Sequence, residues 1–355
     1  MRASVSGLGE WLPETIRDNS AWPAEFVERA AASEKRELVE VDPEAFCEAD
    51  RIALRHFERE AGDPFLGTTR RRISPEHMTA PEAETLAARA ALADAGLAAG
   101  ELDVVISWAA VPERIVPPSA PKVAHSLGAE RAYAIGMDAA CATPIAQLEM
   151  AAALIESGRA QNVLLTQSHL VTRTFAMMHP ASPNVGDAAT AMVVTASERP
   201  GVRVTHARTH GEYYSSVTWC RGKDADPPWW EAGPAYYLGS QNRHQAQELV
   251  RSTVRIAAET LRETLERAKV SLDDVLVLAS VQPRRWIPEA IVEALSATET
   301  LFAPQTFDEL AHLGGCGLVT NLLAARRAGF LKAGTHSLLY AQGAGFTRAA
   351  ALVCW

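Results

Sequence analysis

An α/β fold, with helices on both faces of mixed sheets, is what this 355-residue sequence predicts, on three observations. Short apolar runs of buried-strand type alternate with helical stretches along the chain. The order of these elements repeats loosely in the second half, as an internal duplication would leave it. The apolar share of 48% with 22% charged residues is that of a soluble globular protein with a substantial core.

The elements can be justified in order. "SVSGLGEWLP" opens the chain, and "APEAETLAARAALADAGL" (80–97) is a helix that stops at a glycine. "DVVISWAAV" (103–111) reads as a buried strand and "KVAHSLGA" as a short helix. The apolar "AYAIGMDAA" precedes a helix in which Ile145, Leu148, Ala152 and Ile155 recur at three- and four-residue steps. "NVLLTQSHL" (162–170) and "GDAATAMVVTAS" (186–197) are further strands, and "SERPG" (197–201) is a boundary between halves 1–198 and 199–355. In the second half come the strand "GVRVTHARTH", a long amphipathic helix over 243–268, the strand "DVLVLASV" (274–281) and a helix from Pro288. The glycine-rich turn and helix "HLGGCGLVTNLLAARRAGFLKAG" (312–334) and a closing strand hairpin follow. The Trp-rich stretch 220–240 breaks this rhythm, as a lid, a binding loop or a disordered segment would.

Composition excludes several classes. No apolar run is long enough for a membrane span, and the first residues lack the apolar core of a secretory signal. Five scattered cysteines without a CxxC pair argue for reduced thiols in a cytoplasm and against a structural zinc site. A net charge of −9 gives no basic field for nucleic acid.

Within "DAACATPIAQL", Cys141 falls in a tight strand-to-helix turn, where the first amides and the positive dipole end of a helix favour a thiolate. On these residues alone, a reactive cysteine and a buried inert one are equally open.

Five stretches in register decide further: "GLGEWLPE", "GTTRRR" (67–72), "LGAERAYAIGMDAACA", "VGDAATAMVV" (185–194) and "GAGFTRAAALV" (343–353). Together they resemble the thiolase fold and, within it, the β-ketoacyl-acyl-carrier-protein synthase III family. The resemblance implies two duplicated βαβαβ-type halves, with stacked mixed sheets layered with helices. It implies that Cys141 is the catalytic nucleophile and that the backbone amides of Cys141 and Ala344 form an oxyanion hole. The family's His and Asn positions fall at Val281, in "ASVQPRRW", and at or beside His312, in "ELAHLGGCG". One catalytic histidine is therefore missing and another is present.

Valine cannot donate a hydrogen bond to an enolate, and losing one such donor costs about 3 kcal/mol. His312 can still generate the Cys141 thiolate and act as base on a hydroxyl or amine. The sequence thus resembles an acyltransferase-like branch found in antibiotic pathways, with "DPFLGTTRRR", "QPRRW" and "HLG" as its marks. The implied substrates are an acyl carrier protein or CoA thioester and a small-molecule acceptor, with no metal or redox cofactor and a homodimer as assembly. Carbon–carbon condensation and a non-catalytic partner subunit are the alternatives. Position 317, where that branch places an acidic residue, is glycine; Asp308, Glu309 or a backbone carbonyl are the candidates to orient His312.

Other residues carry weaker signals. Trp286, Arg285 and His179 are candidate donor or pocket contacts, and His169 flanks the same loop as His179. Arg70, Arg71, Arg72, Arg284, Arg285, Arg326 and Arg327 could form a basic patch for an acidic carrier. Cys316 reads as a small core residue, and His206 and His210 as surface histidines rather than metal ligands.

Overall fold

The computed structural model describes residues 1–33, 46–60, 62–199, 201–221, 230–231, 237–297 and 301–355. Its first sheet is five-stranded, in the order β1 (Arg2–Trp11), β7 (Ala188–Ser197), β6 (Asn162–His169), β4 (Val104–Ala109), β5 (Tyr133–Gly136). Its second is four-stranded, in the order β11 (Val275–Ser280), β12 (His336–Gly343), β13 (Thr347–Cys354), β8 (Val202–Thr209). Read from β1 and from β8, both sheets run antiparallel, antiparallel, then parallel. The fifth strand of the first sheet, β5, has its counterpart in a single parallel bridge between Val277 and Phe302. The repeat expected from the sequence is therefore present in strand order and sense, and we propose that the halves divide between β7 and β8.

Two helices lie between the sheets, α5 (Thr143–Glu156) and α9 (Cys316–Arg327). Each touches strands of both sheets, which is why neither has a polar face of the usual width. One apolar cluster joins Ile145, Leu148 and Ile155 of α5 and Leu318, Val319 and Leu322 of α9 to both sheets. Outside the first sheet pack α3 (Ala80–Ala95) and α4 (Ala120–Leu127). The Thr79 and Glu82 side chains form a capping box at the start of α3, and Gly96 ends it in the left-handed conformation. Outside the second lie α2 (Glu48–Glu60), the long α6 (Arg243–Ala268) and α7 (Ile287–Ala294).

Smaller pieces frame the approach to the centre. They are α1 (Ala24–Ser33), the ribbon of β2 (Thr15–Asp18) and β3 (Arg70–Ile73), the single turn α8 (Phe307–Leu310), and a second ribbon. That second ribbon pairs β9 (Thr218–Cys220) with β10 (Tyr237–Gly239), at the two ends of the Trp-rich stretch. Most of the stretch between them, 222–229 and 232–236, lies outside the described residues, and with it the question of a lid. Among the described residues no helix is long and apolar enough to cross a membrane.

Candidate active site

The site lies where the N-terminal ends of α5 and α9 meet. Ala140–Ala142 form a short helical turn ahead of α5, entered through Ala140 at a φ of +49°. A non-glycine residue in that region is strained, so its surroundings must hold it there. The Asp138 carboxylate does so: it accepts the Ala140 N–H at 2.7 Å and the Trp108 indole N–H at 2.9 Å. Thr143 Oγ1 accepts the Ala139 N–H at 2.8 Å. Gly343 ends β12 against this turn, where a β-carbon would overlap the Ala139 carbonyl oxygen. The backbone at Gly343 and Ala344 is thereby brought beside Cys141.

His312 lies in the turn between α8 and α9. Its N–H donates to the Asn184 carbonyl at 3.0 Å, and its own carbonyl accepts the Gly186 N–H at 3.0 Å. Its ring Nδ1 is 2.9 Å from the Gln282 carbonyl oxygen, and its Nε2 is 3.6 Å from Cys141 Sγ. A carbonyl oxygen only accepts, so Nδ1 carries the proton and Nε2 turns a lone pair toward the sulfur.

Burial sets the charge state of this pair. It pushes His312 down to about 3; the nearby His169 lowers it further, and the Gln282 carbonyl partly opposes this. Burial, with the Asp138 carboxylate, pushes the Cys141 thiol up to about 12, with the Cys141 amide opposing. The resting pair is therefore a neutral thiol and a neutral imidazole. Burial thus opposes the thiolate that the helix N-terminus favours.

Above the pair opens a cavity of ≈ 250 Å³, lined by Trp108, Phe175, Trp219, Leu238, Leu249 and Phe346 and by polar Ser216, Thr218, Gln342 and His169. Cys141, His312 and Ala344 also line it. The sequence thus brings its nucleophile, base and oxyanion candidates to one place.

Other expectations are corrected. Asp308 does not orient His312, because it pairs with Arg285 at 2.7 Å; Glu309 faces Arg70 at 3.4 Å. The orienting group is the Gln282 carbonyl, one residue after the buried Val281. Trp286 is 2% exposed and stacks on His56, so it is core rather than a pantetheine contact. Arg285 is held at the surface by Asp308, outside the cavity lining. His179 is half-buried and not in the cavity lining, but it packs on the lining residue Phe175, ring centres 4.9 Å apart.

The arginines make no single patch. Arg71 is buried, donating to Pro183 O and Asn19 Oδ1 with its guanidinium over Trp22. Arg326 and Arg327 pair with Asp94 and Glu10 at the far end of α9. Cys316 is fully buried, as expected, with Sγ 3.6 Å from Ala188 O. His206, expected at the surface, is instead buried against Glu263, while His210 meets Glu212; the described residues hold no cluster fit for a metal ion. Asp138, the Gln282 carbonyl and the aromatic wall were missed. A backbone carbonyl leaves no side-chain signal, and the wall is assembled from distant segments.

Family models for 3-oxoacyl-[acyl-carrier-protein] synthase III match residues 135–212, and its C-terminal part 265–355. The chain is 30% identical over 298 residues to a β-ketoacyl-[acyl-carrier-protein] synthase III of Roseiflexus castenholzii, covering 81% of this chain and 87% of that one. The crystal structure of 3-oxoacyl-[acyl-carrier-protein] synthase III from Aquifex aeolicus is similar at a TM-score of 0.78 and 25% identity, covering 99% of this chain and 100% of that one. The priming β-ketosynthase of the R1128 polyketide pathway is similar in fold, at a TM-score of 0.81 and 22% identity, over 99% of this chain and 96% of that one. The expected thiolase-like fold holds.

Proposed function

The chain belongs to the β-ketoacyl-[acyl-carrier-protein] synthase III family, and from that footing we propose that it is an acyltransferase. It takes an acyl group from an acyl carrier protein or CoA thioester onto Cys141 and passes it to a hydroxyl or amine of a small acceptor. One observation carries this reading. The Gln282 carbonyl on Nδ1 leaves Nε2 of His312 a hydrogen-bond acceptor, facing the sulfur at 3.6 Å. An acceptor nitrogen serves as a base; it cannot donate to the carbonyl oxygen of a malonyl thioester. Val281 has nothing to donate either.

The steps follow from that geometry. As Sγ attacks the thioester carbon, its proton passes to His312 Nε2, so the neutral pair ionises only during attack. The amides of Cys141 and Ala344 hold the oxyanion, and the leaving thiolate takes the proton back. The acyl group then occupies the apolar cavity, until an acceptor attacks the acyl-cysteine and the thiol is restored. The Trp, Phe and Leu lining suits an apolar acyl chain or ring. A homodimer remains part of the proposal, supported by the edge strand β5 with Tyr133 67% exposed, and a cytoplasmic location is proposed with it on the scattered, unpaired cysteines.

A second reading, carbon–carbon condensation, is favoured by the names of the relatives, which are condensing synthases. Product analysis separates the two. Acyl-CoA donors offered with malonyl-CoA, alcohols and amines should yield an ester or amide without carbon dioxide. Carbon dioxide release with a β-keto product would overturn the first reading. A non-catalytic partner role has little support, because a nucleophile and base in contact would then serve no chemistry.

A further inference from the structure

We propose that His169 is a second base in this site, the one that receives the acceptor's proton. The proposal rests on the acyl-transfer reading. His169 ends β6, is 5% exposed and lines the same cavity as Cys141 and His312. Its Nδ1 is 2.9 Å from the Gly186 carbonyl oxygen. As at His312, that carbonyl places the proton on Nδ1 and leaves Nε2 with a lone pair, which no protein group meets among the described residues.

The two rings stand edge to face, their centres 5.5 Å apart. The fold keeps this space open at a cost: Gly314 takes a φ of +55°, and a β-carbon there would overlap the His169 ring and lie 2.9 Å from its Nε2. Burial pushes His169 down to about 4, so it too is neutral at rest. A buried imidazole with one satisfied nitrogen, in the lining of a catalytic cavity, can accept from a hydrogen-bond donor. The acceptor's O–H or N–H supplies one.

The half-reactions then divide. In the first, His312 carries the proton from Sγ to the leaving thiolate. In the second, the acceptor oxygen or nitrogen forms its bond to the acyl carbon while its proton moves to His169 Nε2. The carbon–sulfur bond breaks, and the proton ends on Sγ. The site returns to a thiol and two neutral imidazoles, with no further reactant.

His169→Asn tests this, since asparagine keeps a donor for the Gly186 carbonyl and removes the Nε2 lone pair. Loading of Cys141 by acyl-CoA and discharge to 2-phenylethanol or 2-phenylethylamine are followed separately by rapid-quench mass measurement. Discharge should fall about 100-fold, and far more than loading. Equal losses in both steps would make His169 a structural residue and overturn the proposal, as would wild-type discharge. Should His169→Asn fail to fold, His169→Gln is read in the same way. If wild type loads but acylates neither alcohol nor amine while releasing carbon dioxide from malonyl-CoA, the acyl-transfer reading itself fails.

Discussion

The helices α5 and α9 are counterparts in the repeated topology. Each opens beside a cysteine, and only one of those cysteines reaches the cavity. Desolvation raises both thiols, so the direction of that shift does not separate them. Cys141 has a strained turn that turns it toward the cavity and an imidazole at 3.6 Å. Cys316 is fully enclosed, with the Ala188 carbonyl oxygen 3.6 Å from its Sγ and Thr190 beside it, and among the described residues no imidazole hydrogen-bonds to it. Access and a base in contact make a nucleophile; residue type and helix position alone do not.

The largest effect that could break this comparison comes from the cysteines. Cys141→Ala should reduce acyl transfer to background, whereas Cys316→Ala should keep it and lose about 1 kcal/mol of stability by thermal melting. Activity lost with Cys316→Ala in a folded protein would contradict the contrast.

Next is the base. His312→Ala should slow loading of Cys141 by about 100-fold or more in stopped-flow assays. Because His312 is held down to about 3, its lone pair persists well below the ordinary histidine range. The wild-type loading rate should therefore show no titration near pH 6.5 and should fall only as pH approaches 3. Stability moves in the same window. Between the ordinary pKa of 6.5 and about 3 to 4, the unfolded chain binds protons that folded His312 and His169 refuse. Stability should thus fall as pH falls through that range, and His169→Asn should lessen the fall.

Gly343→Ala tests the strained turn. Its β-carbon would press on the Ala139 carbonyl, so about 1–3 kcal/mol of stability and part of the loading rate should be lost together. Gly317→Ala, with open space at its β-position, should leave both nearly intact. The smallest effect belongs to Asp308→Asn. The half-exposed Asp308–Arg285 pair contributes at most about 1 kcal/mol, and loading should be unchanged because the Gln282 carbonyl holds the imidazole. A large loss of activity would return Asp308 to the role that the sequence suggested.

Much of this was legible in the sequence, and the pattern of what was not is physical. Strands such as "NVLLTQSHL" and the 243–268 helix declare themselves by apolar runs and periodicity, and the structure has them at Asn162–His169 and Arg243–Ala268. Cys141 and His312 carry reactive side chains in recognisable turns. The partner on His312 Nδ1 is a main-chain oxygen, which any residue supplies, so nearby carboxylates drew the eye instead. Trp286 shows the converse: a large aromatic beside two arginines looks like a ligand contact, yet its ring completes the apolar layer outside the second sheet.

The most direct test is to map the acyl group itself. Wild type, Cys141→Ala and Cys316→Ala would each be mixed with a panel of aryl- and alkyl-CoA thioesters, quenched, weighed intact and then digested. We expect one acyl group per chain, on the peptide containing Cys141, in wild type and Cys316→Ala and none in Cys141→Ala. An adduct on Cys316, or no adduct on wild type with any donor, would contradict the assignment of Cys141 as the nucleophile.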